Sequence, residues 1–367
     1  MTRWQHAGII GAIVFYGFTV ACQNDSGKGG PIEPDPGTKP VEFKPTPYAW
    51  KKPANFSDPH YHFSKNPLTV EGVTLGKALF YDGILSKDGS ISCAFCHQPA
   101  AAFAHTDHPL SHGIGDKIGT RNVPAIQNVA WKQAFFWDGG IADLDLLPIS
   151  PIQNPVEMGD SLGNVLKKVR ASGQYPAMFK AAFGTDEVTT ERFLKALSQF
   201  MLTMVSGTSK YDKYARKEAG AMLGEHEVHG LNLFNQHCAG CHTGEQFTDQ
   251  SYRNNGLRMQ LANSKDYDLG RYQITLNLDD YNKFRVPSLR NVERTFPYMH
   301  DGRFQTLEQV LDHYTNDVQD TPQLDPLLKK NGKPGIPLTQ EDKSDLIAFL
   351  KTLTDTEFLS DRRFQPD

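Results

Sequence analysis

A mainly α-helical fold of two similar halves, joined by long irregular stretches, is what this sequence predicts. Three observations predict it. The pattern Cys-x-x-Cys-His occurs twice, as Cys93-Ala94-Phe95-Cys96-His97 and as Cys238-Ala239-Gly240-Cys241-His242. Wherever apolar residues recur with a clear period, the period is that of a helix. Between those segments the chain is irregular, with 31 Gly and 23 Pro among its 367 residues.

The repeated pattern carries chemistry. A helical turn brings residues three apart onto one face, so the two thiols of each copy stand together beside the next residue's imidazole. Thiols so placed add across the vinyl groups of a porphyrin while the histidine coordinates the iron, and Cys-x-x-Cys-His reads as a c-type haem attachment site. Cys93, Cys96 and His97 would hold a first haem, and Cys238, Cys241 and His242 a second. A thioredoxin-like dithiol would sit in a βαβ context, which neither copy has. A zinc site needs four ligands close together, and the copies lie far apart in the chain. The expected fold is therefore two cytochrome c-like haem domains, in which long loops wrap an apolar cofactor that supplies much of each core. A chain of 367 residues is long enough for both.

The formal charge of −4 and the pI near 6.4 argue against a nucleic-acid partner, which would select a basic face. Arg3 precedes an apolar run from about Ala7 to Ala21, short for a membrane span of about 20 residues. The run ends at Thr19-Val20-Ala21-Cys22, which resembles a bacterial lipoprotein processing site, although Leu is more typical at position 19. Residues 1–22 thus read as a signal peptide, with Cys22 as the lipidated first residue of the mature chain. Residues 23–48, rich in Gly, Pro, Asp and Lys, read as a flexible tether. The protein is expected to be exported, periplasmic and held to a bacterial membrane by lipid alone. The first haem domain is expected over 49–206 and the second over 207–367.

Val73, Leu75, Ala78, Leu79 and Phe80 form a helical stripe closed by Asp82-Gly83. Leu162 to Arg170 and Glu191 to Val205 have the same period, and Met201 and Met204 on the second stripe read as core, not as haem ligands. Ser206-Gly207-Thr208-Ser209 and the charged run Lys210 to Glu218 mark the join between halves. Gly224 to Asn235 is a helix running into the second haem motif. Its Gly230-Leu231-Asn232-Leu233-Phe234 echoes Leu75-Gly76-Lys77-Ala78-Leu79-Phe80, a weak internal repeat. Leu307 to Tyr314 and Thr339 to Leu353 complete the helices, the last with Thr339 as N-cap and Asp342 at the third position.

Five further blocks are specific: Gly119-Thr120-Arg121-Asn122-Val123-Pro124, Phe135-Phe136-Trp137-Asp138-Gly139-Gly140, Asn154-Pro155-Val156-Glu157-Met158, Phe284 to Val292, and Thr295 to Gly302. Arranged around two haem motifs, they make the sequence resemble the bacterial di-haem cytochrome c peroxidase family, which includes the MauG-type enzymes. The resemblance runs from about Leu75 to Leu353. It implies a peroxide-reacting first haem on His97, Glu157 as its distal acid–base residue, and Trp137 as a relay between the haems. It also implies one calcium ion between the domains, held by the side-chain oxygen of Asn122 and the backbone carbonyls of Thr295 and Pro297. Oxygen donors suit that hard cation. Tyr314 stands where the family's peroxidases carry the methionine ligand of the second haem, and the MauG-type branch has a tyrosine there. Tyr314 is therefore expected on the second iron, ahead of His313 and Met299. Methionine raises a haem potential relative to harder donors, so a tyrosinate favours the ferric state.

Two departures bear on the first haem. In the family's peroxidases a histidine in Ser-x-Gly-His-Gly closes that haem until its partner is reduced. Here the stretch is Ser111-His112-Gly113-Ile114-Gly115, with Ile114 at that place, so an open or weakly ligated iron is expected, and His112 is the nearest substitute. His105 and His108 in the same loop read as solvated. Leu147 stands where the family commonly has a distal glutamine, which removes a polar partner for peroxide. The expected activity is reduction of hydrogen peroxide with electrons from a small redox protein, a cytochrome c or a cupredoxin. A MauG-like oxidase acting on residues of a partner protein is the alternative that Ile114 and Tyr314 favour. A non-catalytic electron carrier is the one that Leu147 favours. Family members often dimerise, so a homodimer is a further expectation.

Overall fold

The computed structural model describes residues 43–259 and 267–366. The expected signal segment, Cys22 and most of the expected tether lie outside the described residues. The helices are α1 (Val70–Tyr81), α2 (Cys93–Cys96), α3 (Ile149–Gln153), α4 (Leu162–Ala171), α5 (Tyr175–Phe183), α6 (Thr190–Leu202), α7 (Lys210–Ala215), α8 (Glu225–His237), α9 (Tyr272–Thr275), α10 (Leu307–Asp312), α11 (Gln340–Lys351) and α12 (Thr356–Leu359). Among the described residues the strands form two short antiparallel pairs, β1 (Tyr252–Arg253) with β2 (Phe284–Arg285) and β3 (Lys329–Lys330) with β4 (Lys333–Pro334).

Each half is built on one helix crossing. Thr69 caps α1, its hydroxyl accepting from the Gly72 amide. The helix then crosses α6 at Gly76, where a Cβ would lie 2.0 Å from the Ala196 carbonyl oxygen, so only glycine permits the approach. One turn on, Phe80 meets Phe200 at 5.2 Å and Phe103 at 6.1 Å, both edge-on. In the second half α8 crosses α11 at Gly230, where a Cβ would lie 1.9 Å from the Asp345 carbonyl oxygen. One turn on, Phe234 meets Phe349 at 5.1 Å and Phe247 at 5.7 Å. The faint sequence repeat is thus a repeated packing unit. Thr339 and Asp342 form the expected cap on α11, each side chain accepting from the other's backbone amide.

One apolar core collects side chains from Phe56 to Met204, and a second collects Phe234 to Leu353. The chain does not end in the second core. Phe358 and Phe364, beyond α11, return to the first and pack on Phe103 at 5.9 and 5.5 Å. Burying two such rings contributes about 1.5–3 kcal/mol each.

The join is more ordered than a charged run suggests. A carboxylate oxygen of Asp355 accepts from the Ser206 hydroxyl and the amides of Gly207 and Thr208 at 2.8–3.0 Å. Lys210–Ala215 is helical because Ser209 and Asp212 cap it reciprocally. Asp212 then forms a fully buried two-pronged pair with Arg290, at 2.8 and 2.9 Å. Removing one partner of such a pair costs about 3–5 kcal/mol. The last residues of the expected tether are also pinned, since Thr46 bonds the Glu71 carboxylate and the Tyr48 amide donates to the Leu68 carbonyl at 3.0 Å. Helix α5 had no expected counterpart; its buried face is only Tyr175, Phe179 and Ala182, too few to show a period. The helix expected to reach Tyr314 stops as α-helix at Asp312 and continues as a π-helical turn over His313–Asp317. Such turns recur at functional sites.

Candidate active site and its partner site

Ser92 starts α2 by accepting from the Phe95 amide at 3.2 Å, and this turn places Cys93 and Cys96 on the wall of a cavity of about 920 Å³. His97, at the end of the turn, lines the same cavity. Its Nδ1 donates to the Phe103 carbonyl at 2.7 Å, which fixes the tautomer and leaves the Nε2 lone pair free. Burial pushes the His97 pKa down to about 4, so the imidazole is neutral, the form that binds a metal. The second motif repeats this. His242 Nδ1 donates to the Phe247 carbonyl at 3.1 Å, and His242 lines a second cavity of about 240 Å³ with Cys238 and Cys241. Phe103 and Phe247 both have left-handed backbone, φ 60° and 52°, which turns each carbonyl onto its histidine.

Glu157 and Leu147 line the first cavity. Burial raises the Glu157 pKa, and a 3.0 Å hydrogen bond from Asn154 Nδ2 to its Oε1 opposes that rise. The loop carrying Ile114 lies directly on this segment. The Ile114 amide donates to the Glu157 carbonyl at 2.8 Å, and a Cβ on Gly113 would lie 2.2 Å from the Val156 carbonyl oxygen. The Ile114 side chain rests on Gly159, and neither Ile114 nor His112 lines the cavity. His112 instead stacks on His108 at 4.1 Å, with His105 next at 5.5 Å. His105 departs from its expected solvated state: it is 3% exposed, and its Nδ1 has no hydrogen-bond partner among the described residues. Among the described residues that line the first cavity, His97 has the one imidazole.

Tyr314 and Met299 both line the second cavity. Burial pushes the Tyr314 pKa up to about 12. His313 does not line it; its Nε2 donates to the Asn255 carbonyl at 3.1 Å. Asn122, Thr295 and Pro297, the expected calcium positions, come together on this cavity's wall. Asn122 Nδ2 donates to the Pro109 carbonyl at 3.0 Å, which leaves Oδ1 as the oxygen open to a cation. Among the described residues no cluster of three His, Cys, Asp or Glu could hold a metal ion, so a calcium there would rest on neutral oxygens.

Trp137 borders both cavities, with its indole N–H donating to the Asn122 carbonyl at 2.9 Å. Two cations that the sequence reading missed share that position. Lys132 Nζ donates to the Ala125 carbonyl at 2.7 Å and Arg285 Nε to the Phe136 carbonyl at 3.1 Å, and both residues line both cavities. Burial first, and then the charge of Arg285, hold the Lys132 pKa well below the usual lysine value. No carboxylate of the described residues pairs with either cation. Buried charge without a partner is costly, and the propionates of a haem would supply the missing anions. The donor set, the free Nε2 atoms and these cations all fit haem. Only Arg285 had a signal, as part of the Phe284 to Val292 block.

The family model for di-haem cytochrome c peroxidases matches residues 70–220. The chain is also 36% identical over 301 residues to the methylamine utilization protein MauG of Methylorubrum extorquens, covering 80% of each. The chain belongs to the di-haem cytochrome c peroxidase family. It is 38% identical over 291 residues to the cytochrome c551 peroxidase of Nitrosomonas europaea, covering 78% of this chain and 81% of that one. Among solved structures, a MauG-like protein associated with microbial copper homeostasis superposes with a TM-score of 0.76 at 32% identity, over 87% of this chain and 99% of the other. The diheme peroxidase BthA of Burkholderia thailandensis gives 0.69 at 26% identity, over 80% and 88%. A di-haem family means two c-type haems, the number of Cys-x-x-Cys-His copies in the chain, and an oxidoreductase that uses peroxide with a redox partner or a protein substrate. Among the described residues no helix is long and apolar enough to cross a membrane.

Proposed function

We propose that the protein reduces hydrogen peroxide to water at the first site, with electrons entering at the second from a small redox protein, a cytochrome c or a cupredoxin. The observation that carries this reading is Glu157, a buried carboxyl lining the same cavity as Cys93, Cys96 and His97. A haem bound by those three residues supplies the iron that takes peroxide and accepts its oxidising equivalents. Asn154 commits Oε1 of Glu157, so Oε2 is the atom that takes a proton from one peroxide oxygen and returns it to the other as the O–O bond breaks. Two electrons and two further protons complete two waters. Trp137, bordering both cavities, relays the electrons. Cys238, Cys241, His242 and Tyr314 hold the second haem, and Lys132 and Arg285 take propionates at the junction. The two haem domains divide at Ser206/Gly207. The reading includes a calcium ion on Asn122, Thr295 and Pro297, export with lipid attachment at Cys22, a periplasmic location and a homodimer.

A second reading, oxidation of residues on a partner protein, is favoured by the packing of Ile114 and His112 away from the first cavity and by the phenol in the second. One experiment tests both. The oxidised protein is mixed with stoichiometric peroxide while the haem spectrum is followed, and a reduced small cytochrome is then added. An immediate change followed by rapid oxidation of the cytochrome supports the peroxidase. An immediate, long-lived change that the cytochrome does not discharge supports the oxidase. No change in either the oxidised or the half-reduced protein leaves an electron carrier and ends both readings.

A further inference from the structure

Three side chains could compete for the second iron opposite His242, and all three are tied to one residue. Asn255, just beyond β1, lines the second cavity. Its backbone carbonyl accepts from His313 Nε2 at 3.1 Å. Its side-chain Nδ2 donates to Met299 Sδ at 3.4 Å. The same side chain hydrogen-bonds the Tyr314 phenol and opposes the rise of its pKa, the effect of a donor to the phenolate. An asparagine NH₂ has two protons, enough for one sulfur and one phenol oxygen.

These bonds act differently on the three groups. His313 spends a ring nitrogen on a backbone carbonyl and does not line the cavity. A thioether sulfur is a weak acceptor, and a lone pair engaged by an N–H is withdrawn from coordination. Met299 also has left-handed backbone, φ 74°, a conformation rare for a residue with a side chain, so its chain direction is tightly set. A phenol oxygen, by contrast, gains from a donor, because the charged form that binds iron is the form the donor stabilises. Tyr314 is fixed from its own backbone too, its carbonyl accepting from the Ile336 amide at 2.7 Å.

We infer that Asn255 selects the axial ligand of the second haem, keeping Met299 and His313 from the iron while supporting Tyr314 as tyrosinate. This rests on the reading of Tyr314 as the ligand. Asn255 is a positioning residue, since its atoms act through Tyr314 and Met299 and not on the iron. The choice matters because a methionine raises a haem potential relative to a harder oxygen donor.

The test uses the haem-loaded protein carrying Asn255→Leu, with absorption, EPR and spectroelectrochemistry of the second haem as readouts. The expected result is loss of the tyrosinate signature and appearance of the ferric methionine–haem charge-transfer band. At a fixed applied potential the ferrous-to-ferric ratio rises at least tenfold, a shift of about 59 mV for one electron. Adding Met299→Leu to that variant abolishes the new band. If Asn255→Leu fails to load haem, Asn255→Asp keeps the size, replaces the donor by an acceptor and moves the potential in the same direction. An unchanged signature and potential in both Asn255 variants, with Tyr314→Phe still removing the signature, overturns the inference and spares the ligand reading. If Met299→Leu alone changes the spectrum and Tyr314→Phe does not, the ligand reading fails and takes the inference with it.

Discussion

Gly76 and Gly230 admit the same helix crossing, Phe80 and Phe234 open the same aromatic cluster, and His97 and His242 each donate Nδ1 to a phenylalanine carbonyl. On the opposite side of each cavity the halves part. The first presents the Glu157 carboxyl, raised by burial and steadied by Asn154. The second presents the Tyr314 phenol beside the Met299 sulfur, both bonded to Asn255. The lesson is that one attachment scaffold serves two tasks. The proximal frame decides that a haem is held, and the distal group decides what can be done with it. A carboxyl that exchanges protons suits peroxide, whereas a phenol oxygen that can bind iron closes the site and lowers its potential.

The largest effect should come from the distal carboxyl. Glu157→Gln should slow the peroxide reaction by about 10²–10⁴-fold, the usual worth of a positioned acid–base group, in a stopped-flow measurement, while the second haem's spectrum stays unchanged. In the unaltered protein the rate should rise with pH through the raised Glu157 pKa, because only the ionised carboxylate can accept peroxide's proton. A rate as pH-independent as the variant's would assign the proton transfer elsewhere.

Next are the two crossings. Gly76→Ala and Gly230→Ala each drive a methyl into a backbone oxygen, at 2.0 and 1.9 Å. Each should cost about 1–3 kcal/mol by the usual toll of overpacking, read by denaturant unfolding of the haem-loaded protein. Unequal losses would break the equivalence of the halves. A smaller effect is expected from restoring a polar partner in the first cavity. Leu147→Gln should speed the peroxide reaction by up to about tenfold, the value of one hydrogen bond of about 0.5–1.5 kcal/mol. No acceleration would mean that Glu157 alone serves the bound peroxide.

The smallest effect separates the crossings by pH. Ala196 sits at the first, but Asp345 at the second accepts from His226 and His229 Nδ1 at 2.7 and 2.6 Å. The hydrogen bond to Asp345 raises the His229 pKa above its ordinary 6.5. Its stabilisation is therefore full below the unfolded value and is lost as pH rises through the folded one. The melting temperature should fall slightly over that window, and His229→Gln should remove the fall. A slope that survives the substitution would move its origin away from the second half.

Much of this was legible in the chain. The haem motifs, the helical stripes, the Thr339 cap and the Gly76/Gly230 echo are local patterns, and local patterns survive in one dimension. The block around Glu157 was equally readable, because its residues are contiguous. The three-histidine loop was not, since whether His105 is buried or solvated depends on Phe95 and His108 coming to rest against it. Nor was the buried helix at Lys210–Ala215 legible, because its anchor, Arg290, comes from far along the chain.

The sequence by itself determined two haem-binding units, their family and the identities of the residues at each haem, because attachment chemistry is written in spacing and side-chain type. The tertiary structure decided which of those residues share a cavity. It set Trp137, Lys132 and Arg285 on the border of both cavities, turned His112 and Ile114 away from the first, and gathered Met299, His313 and Tyr314 around Asn255. The physical reason is distance along the chain. Burial, unpaired charge and competition for one donor depend on neighbours that only folding brings together.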